Sequence, residues 1–387
     1  MKTRTTCNIC SNKDLIELIN MPKMPITGMY LDESNLDDNL YDQAFNYCQN
    51  CGHGQLKNIL DPDIIYNDSY EHRTSKSQIS MSGNDFLLKT INNIVGDKVF
   101  NQVLEVGCND LYLINGLSSK AKHLVGIDPI WKDKDFMVDE KISIHGKFID
   151  ELDQSIFHER PDLIVSSHTF EHIDETYEEF EKIVDLAAND CLFFIEVPSL
   201  DSTVKGRRFD QIFHQHLQYF SYSSMRFLIN RLGCEFMGSK YNYSYWGGTS
   251  LFWFKKNSNS TKKLNIELIP EKIITHNFKE FKNSLQESLK QILFFDEKII
   301  GLGAAQMLPT IAYHMESNLD FISKIYDDND DRINKYLPYI SPQIQKFSSD
   351  DISDAIILIT ALDSSRPLLK KILAHDPRRI FSLINVI

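Results

Sequence analysis

Four cysteines in the chain stand in two Cys-x-x-Cys pairs, a spacing that suits a metal ion. Cys7 and Cys10 form the first pair, and Cys48 and Cys51 form the second. Four thiolates are the soft, tetrahedral ligand set of structural zinc sites, and each short pair lets two sulfurs face one ion. With all four positions filled, none remains open for catalysis. The spacing therefore predicts structural Zn²⁺, against the alternative of four reduced cysteines without metal.

A second group of residues forms a polar turn that suits a nucleotide-like ligand. Glu105 lies in an apolar run, and Gly107, Asn109 and Asp110 follow it before a helix-like segment. Glycine lets the backbone approach a ligand closely, and the start of a helix presents free N–H groups. Asp128 ends the next apolar run, where a carboxylate can accept hydrogen bonds from a ribose diol. These five residues form the predicted cofactor site.

The glycine content of this turn favours one cofactor over another. The dinucleotide fingerprint carries three glycines, whereas this turn carries one. The sulfonium cofactor S-adenosylmethionine has no pyrophosphate to bind, and it tolerates Asn and Asp close by. The turn therefore predicts S-adenosylmethionine, against the alternative of an ordinary tight turn with a solvated Asp128.

Two histidines, His214 and His216, flank Gln215 and are candidates for proton transfer. Histidine is the usual general base near neutral pH. If the segment is a strand, alternate residues share a face and either histidine can serve as the base. The Gln215 amide can donate a hydrogen bond to an oxyanion, which an ionised carboxylate cannot. On the residues alone, a His-x-His pair is also typical of a structural feature or a metal pair.

His168 and His172 are four residues apart and have Glu171 beside them. On a helix these histidines would face one way, which permits a metal pair. They follow a strand-like run at the rim of the cofactor site, however, and this position favours support of neighbouring groups or simple capping. We place His168 among the cofactor-binding residues.

The order of the apolar runs indicates which elements position these groups. Short apolar runs alternate with helical patterns, which is typical of βαβ units in a parallel sheet. The runs are 103–106, 124–127, 163–165 and 192–195. A polar stretch at 257–263 resembles a linker, and a second α/β pattern follows it. We therefore predict three domains: a zinc-binding domain (1–75), a cofactor-binding domain (76–258) and a C-terminal α/β domain (259–387).

Composition and charge narrow the class of protein. The 387 residues suggest two or three domains, and 42% hydrophobic with 25% charged residues is ordinary for a globular chain. A formal net charge of −13 argues against a nucleic-acid partner. No apolar run approaches the roughly 18 residues of a membrane span, and the first residues do not resemble a signal peptide. We expect a cytoplasmic protein with reduced cysteines; the sequence does not indicate its oligomeric state.

Motifs in all three predicted domains resemble the S-adenosylmethionine-dependent sugar C-methyltransferases, which act on nucleotide-linked 4-keto deoxysugars. The four cysteines fall on the family's zinc ligand positions. The other shared motifs, in chain order, are Tyr66 with 70–75, 105–110, 126–129, Glu171-His172, 196–198, 212–221, 247–249, 301–305, and 326–328 with Leu337-Pro338. The resemblance implies a Rossmann-like class I methyltransferase domain between an N-terminal zinc module and a C-terminal α/β Rossmann-like domain that helps to hold the nucleotide sugar.

The chain departs from the family's pattern at three positions. Leu111 stands where the family has a glycine, beside the cofactor turn. The family's Tyr-His-Glu-His motif reads Phe213-His214-Gln215-His216 here, so a hydroxyl and a carboxylate are missing. His216 falls on the position of the family's base. Gln215 can preserve oxyanion stabilisation, or the reaction can differ.

The resemblance also suggests further residues around the substrate. Tyr70 and His72 are expected to close over the substrate from the zinc domain, unless they only pack a loop. Phe213 is expected to contact the substrate. Gly247, Gly248 and Thr249 either bring backbone N–H groups near the sugar or form a hairpin turn.

Together these features predict C-methylation of a nucleotide-linked keto deoxysugar, at the carbon next to the 4-keto group, in branched-sugar biosynthesis. The catalytic residues would be His216, His214, Gln215 and Tyr70. One alternative is O- or N-methylation of a sugar nucleotide or another small metabolite. The other is a non-catalytic protein that binds a sugar nucleotide.

Overall fold

The computed structural model describes residues 1–65, 73–244, 246–257, 264–295 and 297–384. The helices are α1 (Pro62–Ile65), α2 (Gln78–Val95), α3 (Tyr112–Gly116), α4 (Thr176–Leu186), α5 (Leu200–Gly206), α6 (Tyr222–Arg231), α7 (Glu271–Leu293), α8 (Leu308–Met315) and α9 (Ser365–Ile372). Three of them begin at serines whose side chains accept a backbone N–H from the first turn: Ser77 before α2, Ser199 before α5 and Ser221 before α6. Such caps satisfy N–H groups that have no partner within the helix.

The strands of the first half of the chain, in order, are β1 (Lys2–Thr3), β2 (Leu15–Pro25), β3 (Leu40–Cys48), β4 (Gly54–Leu56), β5 (Asn58–Ile59), β6 (Phe100–Val106), β7 (Ala121–Ile127), β8 (Asp135–Met137), β9 (Ile142–His145), β10 (Leu163–Ser167) and β11 (Leu192–Pro198). The later strands are β12 (Gln218–Tyr219), β13 (Cys234–Asn242), β14 (Thr249–Lys256), β15 (Ile299–Leu302), β16 (Ile322–Asp327), β17 (Ile344–Lys346), β18 (Ile356–Ile359) and β19 (Arg379–Ser382).

The central sheet has eight strands in the order β13-β14-β11-β10-β6-β7-β9-β8. The strands from β11 to β9 run parallel, whereas β14 is inserted antiparallel between β11 and β13. A reversed strand at this place distinguishes the class I methyltransferase sheet from the dinucleotide-binding Rossmann sheet. The runs predicted at 103–106, 124–127, 163–165 and 192–195 form its middle, where strands covered on both faces are apolar throughout. The predicted fold class is confirmed.

The N-terminal sheet is antiparallel, in the order β12-β4-β3-β2. Its edge strand β12 comes from the middle of the chain and pairs with β4 through Gln218 opposite Gln55 and Tyr219 opposite Gly54. The sheet therefore combines two segments that the sequence prediction assigned to different domains. The boundaries near residues 75 and 258 stay predictions.

The C-terminal sheet is parallel, in the order β17-β16-β15-β18-β19. The chain leaves β15 for β16 on one side and later returns to β18 on the other, so the sheet is doubly wound around β15. In such a sheet the crevice lies beyond the carboxyl ends of the strands at the reversal. Gly303 follows β15 there with φ 95°, and a Cβ on it would lie 2.5 Å from the Ala361 Cβ.

One apolar core joins the N-terminal and C-terminal sheets. It contains Met24 and Phe45 from the first sheet, Phe213 from the middle of the chain, and Leu308 and Ile356 from the last part. The backbones also pair directly, because Leu31 and Tyr336 exchange two hydrogen bonds of 2.8 and 2.7 Å. Phe213 and the histidines that follow it therefore lie where both sheets meet the central one.

Candidate active site

The four cysteines of the two pairs converge on one point. Cys7 Sγ lies 3.6 Å from Cys51 Sγ, and Cys10 Sγ lies 3.5 Å from Cys48 Sγ. All four sulfurs lie within 4.8 Å of one another. Zn–S bonds of about 2.3 Å at tetrahedral angles place sulfurs about 3.8 Å apart. The arrangement fits a structural zinc ion bound by four thiolates.

The zinc pairs are held by turns and by packing against the middle of the chain. The Ser11 N–H donates to the Cys7 carbonyl (2.8 Å), and the Gly52 N–H donates to the Cys48 carbonyl (2.9 Å). Three of the cysteines belong to the same core as Phe220 and Met225 at the start of α6. An ion at this point would therefore fix β3 and β4 against the middle of the chain.

The predicted cofactor turn lies at the carboxyl end of β6. Gly107 has φ 79°, and a Cβ there would overlap the Thr169 hydroxyl, which itself donates to the Val106 carbonyl (3.2 Å). Only glycine fits this close approach. Asn109 follows with φ 40°, and its carbonyl accepts the Trp131 Nε1–H at 2.8 Å. The turn is therefore fixed from both neighbouring strands.

Leu111 occupies a backbone conformation that favours glycine. Its φ of 70° and ψ of 13° lie in the left-handed region, directly before α3. This is the position where the resemblance led us to expect a glycine. The side chain packs against the core under the sheet, so the leucine adds apolar contact at the expense of backbone strain.

Three carboxyl groups surround the turn. Asp128 accepts the Asn109 N–H (2.8 Å) and the Ile130 N–H (2.9 Å), and burial raises its pKa although these bonds oppose the shift. Burial, followed by the charges of Asp128 and Asp110, raises the pKa of Glu105 well above its usual range. Glu105 Oε2 and Asp110 Oδ1 are buried without a hydrogen-bond partner among the described residues. Buried acceptors beside a glycine turn fit the ribose hydroxyls and the positive charge of S-adenosylmethionine.

The segment that holds the candidate base is a turn and not a strand. The His216 N–H donates to the Phe213 carbonyl at 3.1 Å, and the segment becomes strand only at β12. The expectation that His214 and His216 share a strand face is therefore wrong. A turn directs neighbouring side chains to different surroundings.

His214 is directed into the N-terminal sheet. Its Nε2 lies 3.1 Å from the Met24 carbonyl and its Nδ1 lies 3.3 Å from Gln43 Nε2, while its ring meets Tyr41 edge to face. Burial lowers the pKa of His214 to about 4, although the Met24 carbonyl opposes the shift. Both ring nitrogens are occupied by partners within the fold.

His216 has different surroundings. Its ring lies 4.1 Å from the Phe213 ring and 5.0 Å from the His172 ring, and 6% of the residue is exposed. Its Nδ1 has no hydrogen-bond partner within the described ranges. Burial, and secondarily the proximity of His172 and His168, lowers the pKa of His216 well below its usual value. The lowered pKa favours the neutral imidazole, and its Nδ1 is open to a ligand as far as the described residues are concerned.

The oxygen and the nitrogen of the Gln215 side-chain amide both form hydrogen bonds with Thr27. Gln215 Nε2 donates to the Thr27 carbonyl (2.5 Å), and the Thr27 hydroxyl donates to Gln215 Oε1 (3.0 Å). One N–H of the amide remains for another acceptor. Phe213 is 2% exposed, and its N–H donates to the Tyr219 hydroxyl oxygen at 3.1 Å.

The loop after β10 connects the cofactor turn with His216. His168 has φ 53°, and its Nδ1 lies 3.0 Å from Glu171 Oε1. Burial lowers the pKa of His168, but Glu171 and Glu196 outweigh this and raise it. Residues 170–172 form one 3-10 turn, so the predicted helix face is absent. The Glu171 carbonyl accepts the Leu217 N–H at 2.7 Å, next to His216.

Gly247, Gly248 and Thr249 lie at the turn between β13 and β14. A Cβ at Gly248 would lie 2.6 Å from the Ser202 Cβ, and the Gly248 carbonyl accepts the Ser199 N–H. The Thr249 hydroxyl donates to Glu196 Oε1 at 2.6 Å. Thr249 is thus bonded to one of the two glutamates that act on His168. Tyr70 and His72 lie outside the described residues.

Several residues of this site were not predicted from the sequence. Thr169 closes the cofactor turn, Trp131 fixes Asn109, and Thr27 holds Gln215. Glu171 and Glu196, both in predicted motifs, lie fully buried near His168. The signals for these two in the sequence are the position of Glu171 beside His172 and that of Glu196 directly after the strand-like run at 192–195.

Two family models match the chain. The first, described as "Putative zinc binding domain", matches residues 7–66, and the second, described as "Methyltransferase domain", matches residues 81–237. The C-methyltransferase NovU of Streptomyces niveus is 26% identical over 224 residues. That match covers 57% of this chain and 53% of NovU, so the chain spans about half the length of this curated relative. Residues 81–237 are therefore similar to methyltransferase domains, and residues 7–66 to a zinc-binding domain.

Solved structures similar to this chain share little sequence with it. N-methyltransferase NodS from Bradyrhizobium japonicum, in complex with S-adenosyl-l-homocysteine, is 14% identical, covering 49% of this chain and 93% of its own (TM-score 0.37). Magnesium protoporphyrin IX methyltransferase (ChlM) from Synechocystis is 10% identical, covering 48% and 89% (TM-score 0.35). Of the helices that the structure describes, none has the length and apolar character needed to cross a bilayer.

Proposed function

We propose that this protein transfers a methyl group to carbon in a nucleotide-linked keto sugar, at the position next to the carbonyl, with His216 as the base. The observation that carries the proposal is the His216 ring, which is buried beside the loop that reaches the cofactor turn and whose Nδ1 has no hydrogen-bond partner among the described residues. The likeness to a C-methyltransferase supports the type of reaction. Residues Glu105, Gly107, Asn109, Asp110 and Asp128 would hold the cofactor.

The chemistry requires little from the protein beyond one base and correct placement. Bound S-adenosylmethionine supplies an electrophilic methyl group. A proton on the carbon next to a ketone is acidic because the resulting carbanion is stabilised as an enolate. The neutral His216 ring can accept that proton, and the buried surroundings keep water from competing.

Placement of the base depends on its neighbours. Phe213 packs against one side of the His216 ring, and His172 meets it edge to face. The His172 Nδ1–H donates to the Gln215 carbonyl at 2.8 Å, which fixes the backbone before His216. These contacts hold the ring in one orientation, as a proton transfer requires.

A second candidate function is methyl transfer to oxygen or nitrogen. The observation in its favour is the double contact between Gln215 and Thr27, which occupies the oxygen and one of the two N–H donors of the amide suited to stabilise an enolate oxygen. An alcohol or amine acceptor needs a base but no enolate, so the same histidine would suffice.

Solvent exchange separates the two candidates without methyl transfer. The protein is incubated in deuterium oxide with a nucleotide-linked 4-keto deoxysugar and no methyl donor. The proposal predicts deuterium at the carbon beside the ketone with the native protein, and a loss of at least about 100-fold in the exchange rate for His216→Ala. Exchange that persists in His216→Ala would contradict the assignment of the base.

A further inference from the structure

Besides the four cysteines, the structure brings together a second group of potential metal ligands. We propose that Glu171, His172 and His216 bind a divalent transition-metal ion. One ligand atom from each lies within 4.8 Å of those of the other two. This site is separate from the zinc pairs and goes beyond the proposed function, because binding of the ion does not depend on the reaction.

Two of the three ligands, Glu171 and His216, have a ligand atom without a hydrogen-bond partner among the described residues. Glu171 is fully buried, and in the described part of the chain its Oε2 has no hydrogen-bond donor. His216 Nδ1 has no partner either. A buried carboxylate oxygen and a buried imidazole nitrogen are costly to leave without a partner. An ion between them would satisfy both.

His172 is oriented as a metal-binding histidine. Its Nδ1–H donates to the Gln215 carbonyl at 2.8 Å, so the lone pair lies on Nε2. Nε2 is directed toward Glu171, 4.0 Å from Oε1. Histidines that bind metals usually donate the other ring N–H to a carbonyl or a carboxylate, which fixes the tautomer.

The ligand types indicate the class of ion. Two imidazoles and one carboxylate favour Zn²⁺, Co²⁺, Ni²⁺ or Fe²⁺ over Mg²⁺ and Ca²⁺, which prefer oxygen ligands. Bonds of about 2.1 Å place ligand atoms roughly 3.3 Å apart, so the side chains must approach by about 1 Å on binding. Three protein ligands leave positions open for water or a further ligand.

Binding of an ion has a consequence for catalysis, which rests on the proposed function. A metal-bound imidazole has no free lone pair, because one nitrogen binds the ion and the other carries a proton. His216 therefore cannot accept a proton from the substrate while it holds the ion. The ion is expected to inhibit methyl transfer reversibly.

The probe is Co²⁺, added to protein whose four-cysteine site has been filled with Zn²⁺. Equilibrium dialysis with elemental analysis counts the bound ions, and the visible absorption spectrum reports nitrogen and oxygen ligands without thiolate charge-transfer bands. We expect one additional ion per chain in the native protein. Glu171→Gln and His172→Gln should each weaken its binding at least about tenfold, whereas His276→Gln, on the exposed side of α7, should not.

The outcomes are distinct. Failure of the native protein to bind an additional ion, or unchanged binding in both variants, would overturn the site. The melting temperature and the affinity for S-adenosylmethionine show that each variant is folded. If Co²⁺ binds but methyl transfer continues, the metal site stands and the role of His216 as base is wrong.

Discussion

Single residues decide which of the two neighbouring histidines is available for chemistry. His214 bonds to Met24 and Gln43, whereas His216 Nδ1 has no hydrogen-bond partner in the part of the chain that the structure describes. The sequence presents the two as equivalent, because only tertiary contacts distinguish them. The same is true of Gln215, whose amide is a donor in any sequence but is bonded to Thr27 in this fold.

Leu111 provides a test of backbone strain at the cofactor turn. Leu111→Ala and Leu111→Gly both remove the leucine's contacts, but only glycine also removes the cost of a left-handed conformation, about 1–2 kcal/mol. We therefore expect Leu111→Gly to exceed Leu111→Ala by about 1 kcal/mol in free energy of unfolding, measured by urea denaturation. Equal stability of the two variants would show that the turn relaxes without strain.

A buried histidine in α8 makes stability depend on pH. Burial lowers the pKa of His314 to about 3, and Lys282 adds to the shift. The folded protein keeps His314 neutral, whereas the unfolded chain takes up a proton below about pH 6.5, so this contribution to stability is lost as the pH falls.

His314→Leu removes this proton uptake. Between pH 6.5 and pH 5 the variant should gain about 1.5 kcal/mol in free energy of unfolding relative to the native protein. Denaturation curves of both proteins at the two pH values measure the difference. A difference that does not change with pH would mean that His314 is accessible to protons in the fold.

At the scale of elements, the zinc pairs and the candidate base are connected through one sheet. Cys48 ends β3, Cys51 precedes β4, and β4 pairs with β12 directly after His216. Loss of the zinc ion should therefore disturb the position of His216. The cofactor turn belongs to the central sheet and should be little affected.

We expect Cys48→Ser to lose zinc and to reduce methyl transfer at least about tenfold, with little change in the dissociation constant of S-adenosylmethionine. Elemental analysis, a transfer assay and calorimetry measure the three quantities. Cys191→Ser, a buried cysteine outside the pairs, is the matched control and should retain its zinc. Full activity of a zinc-free Cys48→Ser protein would refute the connection.

Features that depend on residues close together in the sequence could be predicted, whereas strand pairings between distant segments could not. The zinc pairs, the turn after β6 and the strands of the central sheet depend on neighbouring residues, and the structure shows them. The pairing of β12 with β4 involves two residues of each strand, which is too short for a hydrophobic pattern. The sequence did not decide between strand and turn at 213–216, because this segment has no alternation of apolar and polar residues.

At the scale of the whole molecule, the buried Arg208 joins the middle and the end of the chain through ion pairs with two carboxylates. Arg208 donates to both oxygens of Asp210 at 2.8 Å and to those of Asp363 at 2.9 and 3.1 Å. Asp210 is fully buried, whereas the Asp363 side chain is 26% exposed. The two carboxylates therefore differ in how strongly they depend on the arginine.

Arg208→Gln leaves the Asp210 charge buried without its partner, which typically costs about 3–5 kcal/mol. Asp363→Asn keeps the Arg208–Asp210 pair and should cost about 1 kcal/mol. Thermal unfolding of both variants and of the native protein shows which variant loses more stability. If Asp363→Asn were as unstable as Arg208→Gln, the Arg208–Asp363 contact and not the Arg208–Asp210 pair would carry most of the stabilising energy.

The most direct test of the proposed reaction is a mass-spectrometric assay of the purified protein with S-adenosylmethionine and a panel of nucleotide-linked sugars, some with a 4-keto group and some reduced. Enolate chemistry predicts a gain of one methyl group on keto sugars alone, retained on carbon after the nucleotide is removed. Methyl transfer to the reduced sugars would contradict carbon methylation and assign the reaction to oxygen or nitrogen.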